Sequence, residues 1–348
     1  MAIPQPKVFS PTEVGSLKSL VDTGIKEIPD AYVRPENERP TATPVYTESI
    51  PVIDLHDLDG PNRQDTVSAI TKSCEEWGFF QVVNHGIPER VMEKMVEAHH
   101  RFFEQPEEEK AKYKAEGPQK PVIYGTSFTA KDERILEWRD FLLLMIGELN
   151  AQTAECWPPV IQDAGLEYAS EVRKVAVKVL AALSESIGIP TILEKMMGYE
   201  RVVLNYYPPC PNPDMTFGLS SHSDVGLLTV LLQDDVGGLQ VFHNDRWVAV
   251  QPIRNAFVIN VGDMLQVLSN GRFQSAEHRA VPSSSQTRIS IPLFSAPKSD
   301  TLIEPIPELI NEDNPVKYKS FTFGEYVAYF LNRSHSGKDD NLAFAKIS

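Results

Sequence analysis

Residues 219–233 read LSSHSDVGLLTVLLQ. His222 and Asp224 stand two apart, and in an extended chain that spacing points both side chains to one face of a sheet. Together they can grip one ion. The apolar run LLTVLLQ is the first of many short β-rich segments: LQVF, WVAV, AFVINV, LQVLS, HRAV and RISIPLF follow, separated by Gly, Pro and Asn. Frequent short strands with turn signals predict a sandwich or barrel. The fold class is therefore read as mainly β with surrounding helices.

A lone His-x-Asp carries little weight in a chain with 8 histidines. A second match, His243-Asn244-Asp245, lies between Val241-Phe242 and Trp247-Val248 and reads as a hairpin turn. What distinguishes His222 and Asp224 is the company they keep. His278 is the candidate third ligand, and two imidazoles with one carboxylate, open on the far side, suit Fe(II) in oxygen chemistry. Ten residues further on, Arg288 and Ser290 alternate along RISIPLF and share a face. An arginine fork binds a carboxylate bidentately and a hydroxyl adds a further bond. Asn205 and Tyr207 alternate in the same way upstream, so four strand positions converge on one small acidic ligand, best a dicarboxylate.

The rest of the chain is consistent with a small-molecule site. Of 348 residues, 42% are hydrophobic, ample for a sizeable core, while a formal net charge of -15 argues against nucleic acid or an anionic membrane as partner. Cys74, Cys156 and Cys210 form no disulfide framework and suit a reducing compartment. The start lacks a continuous apolar core of signal-peptide length and no run reaches the length of a membrane span, so a cytoplasmic protein is the expectation. There is no GxGxxG or Walker-type glycine pattern, so no nucleotide cofactor is implied. Asn332-Arg333-Ser334 is a formal glycosylation sequon that would stay unmodified in a cytosolic protein.

Ahead of the β-rich part, residues 1–48 are Pro-rich, with a short helix expected around Val14 to Thr23, and read as an arm draped over the domain. SIPVIDL and FFQVVNHG read as strands, QDTVSAITKSCEEWG as a helix between them, and Pro88 to Phe103 as the next helix. His85, at the turn after FFQVV, lacks a nearby carboxylate and reads as a turn residue. EWRDFLLLMI reads as a strand. Glu167 to Ile187 is the clearest helix, with Val172, Val175, Ala176, Val179, Leu180, Leu183 and Ile187 in one core stripe. FTFGEYVAYFLNR reads as a last helix able to cover the open end of a barrel. Four regions follow: an arm at 1–48, a helical and strand region at 49–200, a catalytic core at 201–298, and a C-terminal helix and tail at 299–348.

The stretches LNYYPPCPNPD, HSDVGLLTVLLQDDVGGLQV, NVGDMLQVLSNGRFQSAEHRAV and RISIPLF resemble the plant 2-oxoglutarate- and Fe(II)-dependent dioxygenases, and IPVIDL with EEWGFFQVVNHGIP resembles their amino-terminal part. The resemblance covers nearly the whole chain. It implies a double-stranded β-helix, a jelly-roll variant, with Fe(II) on His222, Asp224 and His278. It further implies 2-oxoglutarate as cosubstrate with its far carboxylate on Arg288, Ser290 and Tyr207, Asn205 beside the metal, dioxygen as oxidant, and ascorbate as a candidate reductant. Hydroxylation or desaturation, with release of succinate and CO2, is the implied chemistry. Phe294 matches an aromatic that stacks on substrate in related flavonoid enzymes, with Phe141 and Leu143 as further pocket candidates. Ala296 stands where anthocyanidin-synthase-like relatives carry a glutamate, which argues against that activity. HSDVG, GRFQSAEHR and SGKDDNLAFA are most similar to the branch of feruloyl-CoA ortho-hydroxylases and soluble flavone synthases, so a small aromatic metabolite, flavonoid or phenylpropanoid, is the expected partner of a monomeric enzyme. Alkaloid demethylases share much of the pattern. So do iron oxidases that do not use 2-oxoglutarate, and a non-catalytic jelly roll with a structural metal is the reading from another class; three protein ligands rather than four argue against it.

Overall fold

The computed structural model describes residues 15–40, 47–114, 121–127, 135–146, 151–331 and 341–347. Two sheets dominate it. The larger has eight strands in the order β1 (Val52–Asp54), β2 (Phe79–Val83), β10 (Phe257–Val261), β7 (Leu228–Gln233), β12 (Arg288–Ala296), β5 (Tyr199–Tyr207), β4 (Asp140–Ile146) and β3 (Val122–Thr126). The smaller has four: β6 (Leu219–His222), β11 (His278–Ala280), β8 (Leu239–His243) and β9 (Arg246–Ala249). All pairings are antiparallel except β1 with β2. The large sheet takes strands from both sides of residue 200.

Because side chains alternate along a strand, the register decides what faces what. One row of the large sheet carries Leu142, Leu204, Ile291, Leu293, Val230, Ile259, Phe80 and Val82, all at most 1% exposed and all in one core cluster with the helices Arg63–Glu76, Glu89–Phe103 and Gln162–Ser186. Burying that face under helices leaves the opposite face to look at the small sheet. The sides of the site are thereby set by parity alone.

The expected helical stripe is buried from Val172 to Ile187, but the helix starts at Gln162, five residues before the expected Glu167. Gly165, a weak helix former, stands in its first turn where a β-carbon would sit 3.0 Å from the buried Trp157 ring. The strand expected from Glu137 starts at Asp140; Arg139 N instead donates to Glu137 O at 2.8 Å, a tight turn. The helix expected around Val14 to Thr23 spans Leu17–Asp22, and its first amides, Leu17 N and Lys18 N, donate to the buried Asp140 carboxylate. That contact, with Arg34 Nη2 donating to Ser220 Oγ at 2.5 Å, fastens this part of the arm beside β6. His243-Asn244-Asp245 is a hairpin turn between β8 and β9, with Asn244 and Asp245 both at positive φ. His85 accepts from Ile87 N and meets Asn255 O through its other nitrogen, the role of a turn residue. The last helix, Phe323–Leu331, sends Tyr326 OH to the buried Asp263 and packs in the main core. The sequon at Asn332, the first fourteen residues and the start of SGKDDNLAFA lie outside the described residues.

Candidate active site

His222 ends β6 and His278 begins β11, directly opposite each other across that antiparallel pair, with ring centroids 4.1 Å apart. Asp224 lies two residues beyond the end of β6, so the shared-strand geometry holds for His222 alone. The carboxylate arrives by a turn. Two glycines beyond it are why: Gly226 and Gly262 let three main-chain segments meet where a β-carbon on either would lie 2.5 Å or 2.3 Å from a carbonyl oxygen. Leu227 N donates to Ser295 O, Gly262 N to Leu227 O, and Asp263 N to Asp224 O at 2.7–2.8 Å, which clamps the turn to β12 and β10.

The ligand atoms of His222, Asp224 and His278 all lie within 4.8 Å of one another. Each imidazole offers Nδ1 to a backbone carbonyl, His222 to Ser220 O at 2.8 Å and His278 to Ala276 O at 3.1 Å. A carbonyl only accepts, so Nδ1 holds the proton and the Nε2 lone pairs point inward. Both Nε2 atoms stand 3.7–3.8 Å from Asp224 Oδ1, too far for a hydrogen bond. Asp224 Oδ2 is occupied by Thr229 Oγ1 at 2.5 Å and Asn260 Nδ2 at 2.7 Å. One oxygen is thus fixed and the other left for a ligand, the outer support a metal carboxylate needs.

Electrostatics agree with that division. Burial, reinforced by the neighbouring His278, pushes His222 down to about 4. Burial also drives Asp224 upward, but the two imidazoles and the bonds from Asn260 and Thr229 outweigh it and hold the carboxyl below its usual value. A neutral imidazole and an ionised carboxylate are the forms that ligate. The donor set of two nitrogens and one oxygen fits Fe(II).

Arg288, Ser290, Asn205 and Tyr207 are brought together by register: Arg288 opposes Tyr207 and Ser290 opposes Asn205 across β12 and β5. Arg288 is 2% exposed. Its Nη2 donates to Gln233 Oε1 at 3.1 Å and its guanidinium lies 5.0 Å from the Tyr207 ring centroid, yet Nε and Nη1 are buried with no hydrogen-bond partner among the described residues. Buried donors without acceptors are costly, and two unmet donors on one guanidinium call for an anionic oxygen acceptor. The site therefore offers a buried cation to an anionic ligand.

Phe141, Leu143 and Val203 form one apolar cluster with Phe294 packed against it, beside Ile123 and Met145. The three expected pocket residues are thus neighbours on the same face of the large sheet. Four polar residues that the sequence did not single out support the rest. Thr229 and Asn260 hold Asp224. Arg139 donates to Asn205 Oδ1 at 3.0 Å and pairs with Glu137 at 3.1 Å, both nearly buried, while Glu137 Oε1 accepts from Ser220 N. Thr229 and Asn260 follow from parity once LLTVLLQ and AFVINV are paired; nothing in EWRD marks Glu137 and Arg139 as site residues.

Residues 199–297 match the 2OG-Fe(II) oxygenase superfamily, and residues 50–163 match the N-terminal region described as non-haem dioxygenase in morphine synthesis. The chain belongs to the 2OG-Fe(II) oxygenase superfamily, and it is a 2-oxoglutarate-dependent dioxygenase whose cofactors are Fe(II) and 2-oxoglutarate. A feruloyl CoA ortho-hydroxylase of Ipomoea batatas is 42% identical over 344 residues, 97% of this chain and 95% of the relative. The scopoletin 8-hydroxylase of Arabidopsis thaliana is 39% identical over 97% of this chain and 96% of its own. The crystal structure of JOX2 in complex with 2OG, Fe and JA superposes with a TM-score of 0.85 at 34% identity, covering 96% of this chain and 98% of JOX2. The jelly-roll fold is shared with these oxygenases.

Proposed function

We propose that this enzyme hydroxylates a small planar aromatic metabolite of the phenylpropanoid or flavonoid type, releasing succinate and CO2, with the residues above in specific roles. His222, Asp224 and His278 would hold Fe(II), which when bound supplies activation of dioxygen for attack on a substrate C–H bond. Arg288 with Ser290 and Tyr207 would seat the far carboxylate of 2-oxoglutarate, and Asn205 would brace Ser290. Phe294, Phe141 and Leu143 would line the substrate side. The observation that carries this reading is the pair of buried Arg288 donors without a partner among the described residues, on the face of the large sheet turned away from its helices, together with the three converging ligand atoms.

The protein's own contribution is arrangement and dryness. Asp224 stays ionised and His222 neutral, so no proton need leave either of them before a metal binds. The apolar cluster around Phe141 excludes water from the side where a substrate ring would lie. The relatives that act on feruloyl CoA and scopoletin support an aromatic ring there. Free cysteines at 74, 156 and 210 support a reducing, cytoplasmic setting, and no described helix is long and apolar enough to cross a membrane. We read the enzyme as a monomer, with 201–298 as catalytic core, 49–200 supplying helices and outer strands, and 299–348 as a helix and tail.

The test is a mass-spectrometric screen of flavanones, flavonols, coumarins and cinnamoyl-CoA thioesters with Fe(II) and 2-oxoglutarate. A product heavier by one oxygen, with equimolar succinate and none from His278→Ala, is expected. Retained turnover in His278→Ala would remove the third ligand, and turnover only of a non-aromatic substrate would remove the substrate class.

A further inference from the structure

Phe294 is flanked in register by two residues of opposite purpose. On β5 it faces Arg201, and on β7 it faces Thr229, whose hydroxyl holds Asp224. Neighbouring strands lie about 4.8 Å apart, so the strands carrying Arg201 and Thr229 are separated by about 10 Å with Phe294 between them. One flank of this aromatic is therefore the metal-ligand end. The other flank is a cation, its guanidinium carbon 4.7 Å from the Phe294 ring centroid.

Arg201 is only partly buried and makes no hydrogen bond and no ion pair among the described residues. By contrast, Arg139 is paired with Glu137 and Arg173 with Glu200. An unneutralised cation stacked at the edge of the Phe141–Leu143–Val203 cluster is a recognition element for an anion. Its distance from the ring fixes how that anion must be attached.

We propose that Arg201 binds a carboxylate on the substrate, so that the metabolite is a planar aromatic acid whose ring lies on Phe294, its acid group at Arg201 and its oxidised carbon toward Asp224. This rests on the reading that substrate lies over Phe294. A carboxylate on a short chain from the ring meets the guanidinium while the ring still covers Phe294. The phosphates of a CoA thioester, at the end of a long flexible arm, are the other source of the same charge.

Calorimetric titration of the Mn(II)- and 2-oxoglutarate-loaded protein under nitrogen, with ferulate, methyl ferulate and feruloyl-CoA, separates them. Wild type is expected to bind ferulate about tenfold tighter than its uncharged ester. In Arg201→Gln the two should bind alike, and in Arg201→Lys part of the preference should return. Phe294→Ala should weaken both in parallel. An ester bound as tightly as the acid, or a preference untouched by Arg201→Gln, overturns the carboxylate assignment while the Phe294 loss leaves the aromatic reading standing. A preference for feruloyl-CoA over ferulate that disappears in Arg201→Gln assigns the cation to the phosphates and also overturns it. Failure of all three probes to bind overturns both.

Discussion

Asn205 faces Ser290 across β5 and β12, its amide nitrogen donating to the serine hydroxyl at 3.2 Å while its oxygen accepts from Arg139 at 3.0 Å. Arg139 pairs with Glu137, Glu137 takes Ser220 N, and Ser220 O takes His222 Nδ1. One polar chain therefore joins the imidazole end of the site to the diacid end.

Removing one member of a buried ion pair leaves the other charge uncompensated, a loss of about 3–5 kcal/mol. Arg139→Met is expected to destabilise the fold by that order, and Glu137→Gln added to it should restore a large part. Urea unfolding of the two single variants and the double variant measures the coupling. Strictly additive losses would show that the pair is not a unit.

Thr229 is not itself a ligand but fixes the Asp224 oxygen that faces away from the imidazoles. Thr229→Val should weaken Fe(II) binding roughly 10–100-fold, the usual cost of losing an outer hydrogen bond to a metal ligand, with the fold intact. Anaerobic Fe(II) titration reads this, and an unchanged affinity would mean Asn260 alone suffices.

The orphaned Arg288 donors make a prediction about ligand protection. With Mn(II) present, 2-oxoglutarate at 100 times its Kd should stabilise wild type by about 2.7 kcal/mol. Arg288→Met should gain almost nothing at the same concentration. Equal thermal shifts in the two proteins would place the far carboxylate elsewhere.

His99 is fully buried on the helix Glu89–Phe103, where its Nε2 meets Asn205 O at 2.9 Å. Burial depresses it to about 3, and the backbone bond only partly opposes that. An unfolded chain takes up this proton below about 6.5 while the folded one does not, so lowering the pH from 6.5 toward 3 costs stability, by at most about 1.4 kcal/mol per unit. His99→Gln lacks the group that titrates. Its stability should fall less than wild type between pH 7 and pH 5, and parallel pH profiles would contradict the assignment.

What the sequence made legible were pairs close along the chain or carried in strong motifs: His222 with Asp224, Arg288 with Ser290, Asn205 with Tyr207. Their alternation needs no tertiary information. Glu137 and Arg139 escaped because they sit in a turn read as strand, and because their partners, Ser220 and Asn205, are more than sixty residues away. Phe141, Leu143 and Phe294 were named through resemblance, and only the β4–β5–β12 register brings them onto one face. The same limit explains the Asp224 turn. Strand spacing suggested a shared face, whereas the close approach at Gly226 and Gly262 is a property of three segments at once.

That close approach also bears on how much change the region can take. The Asp224 turn is fastened by main-chain bonds to β10 and β12, and Thr229 and Asn260 complete its support from the sheet. A side chain placed on either glycine would push apart three strands' worth of backbone and carry the carboxylate with them, so mutations here should cost chemistry and folding together.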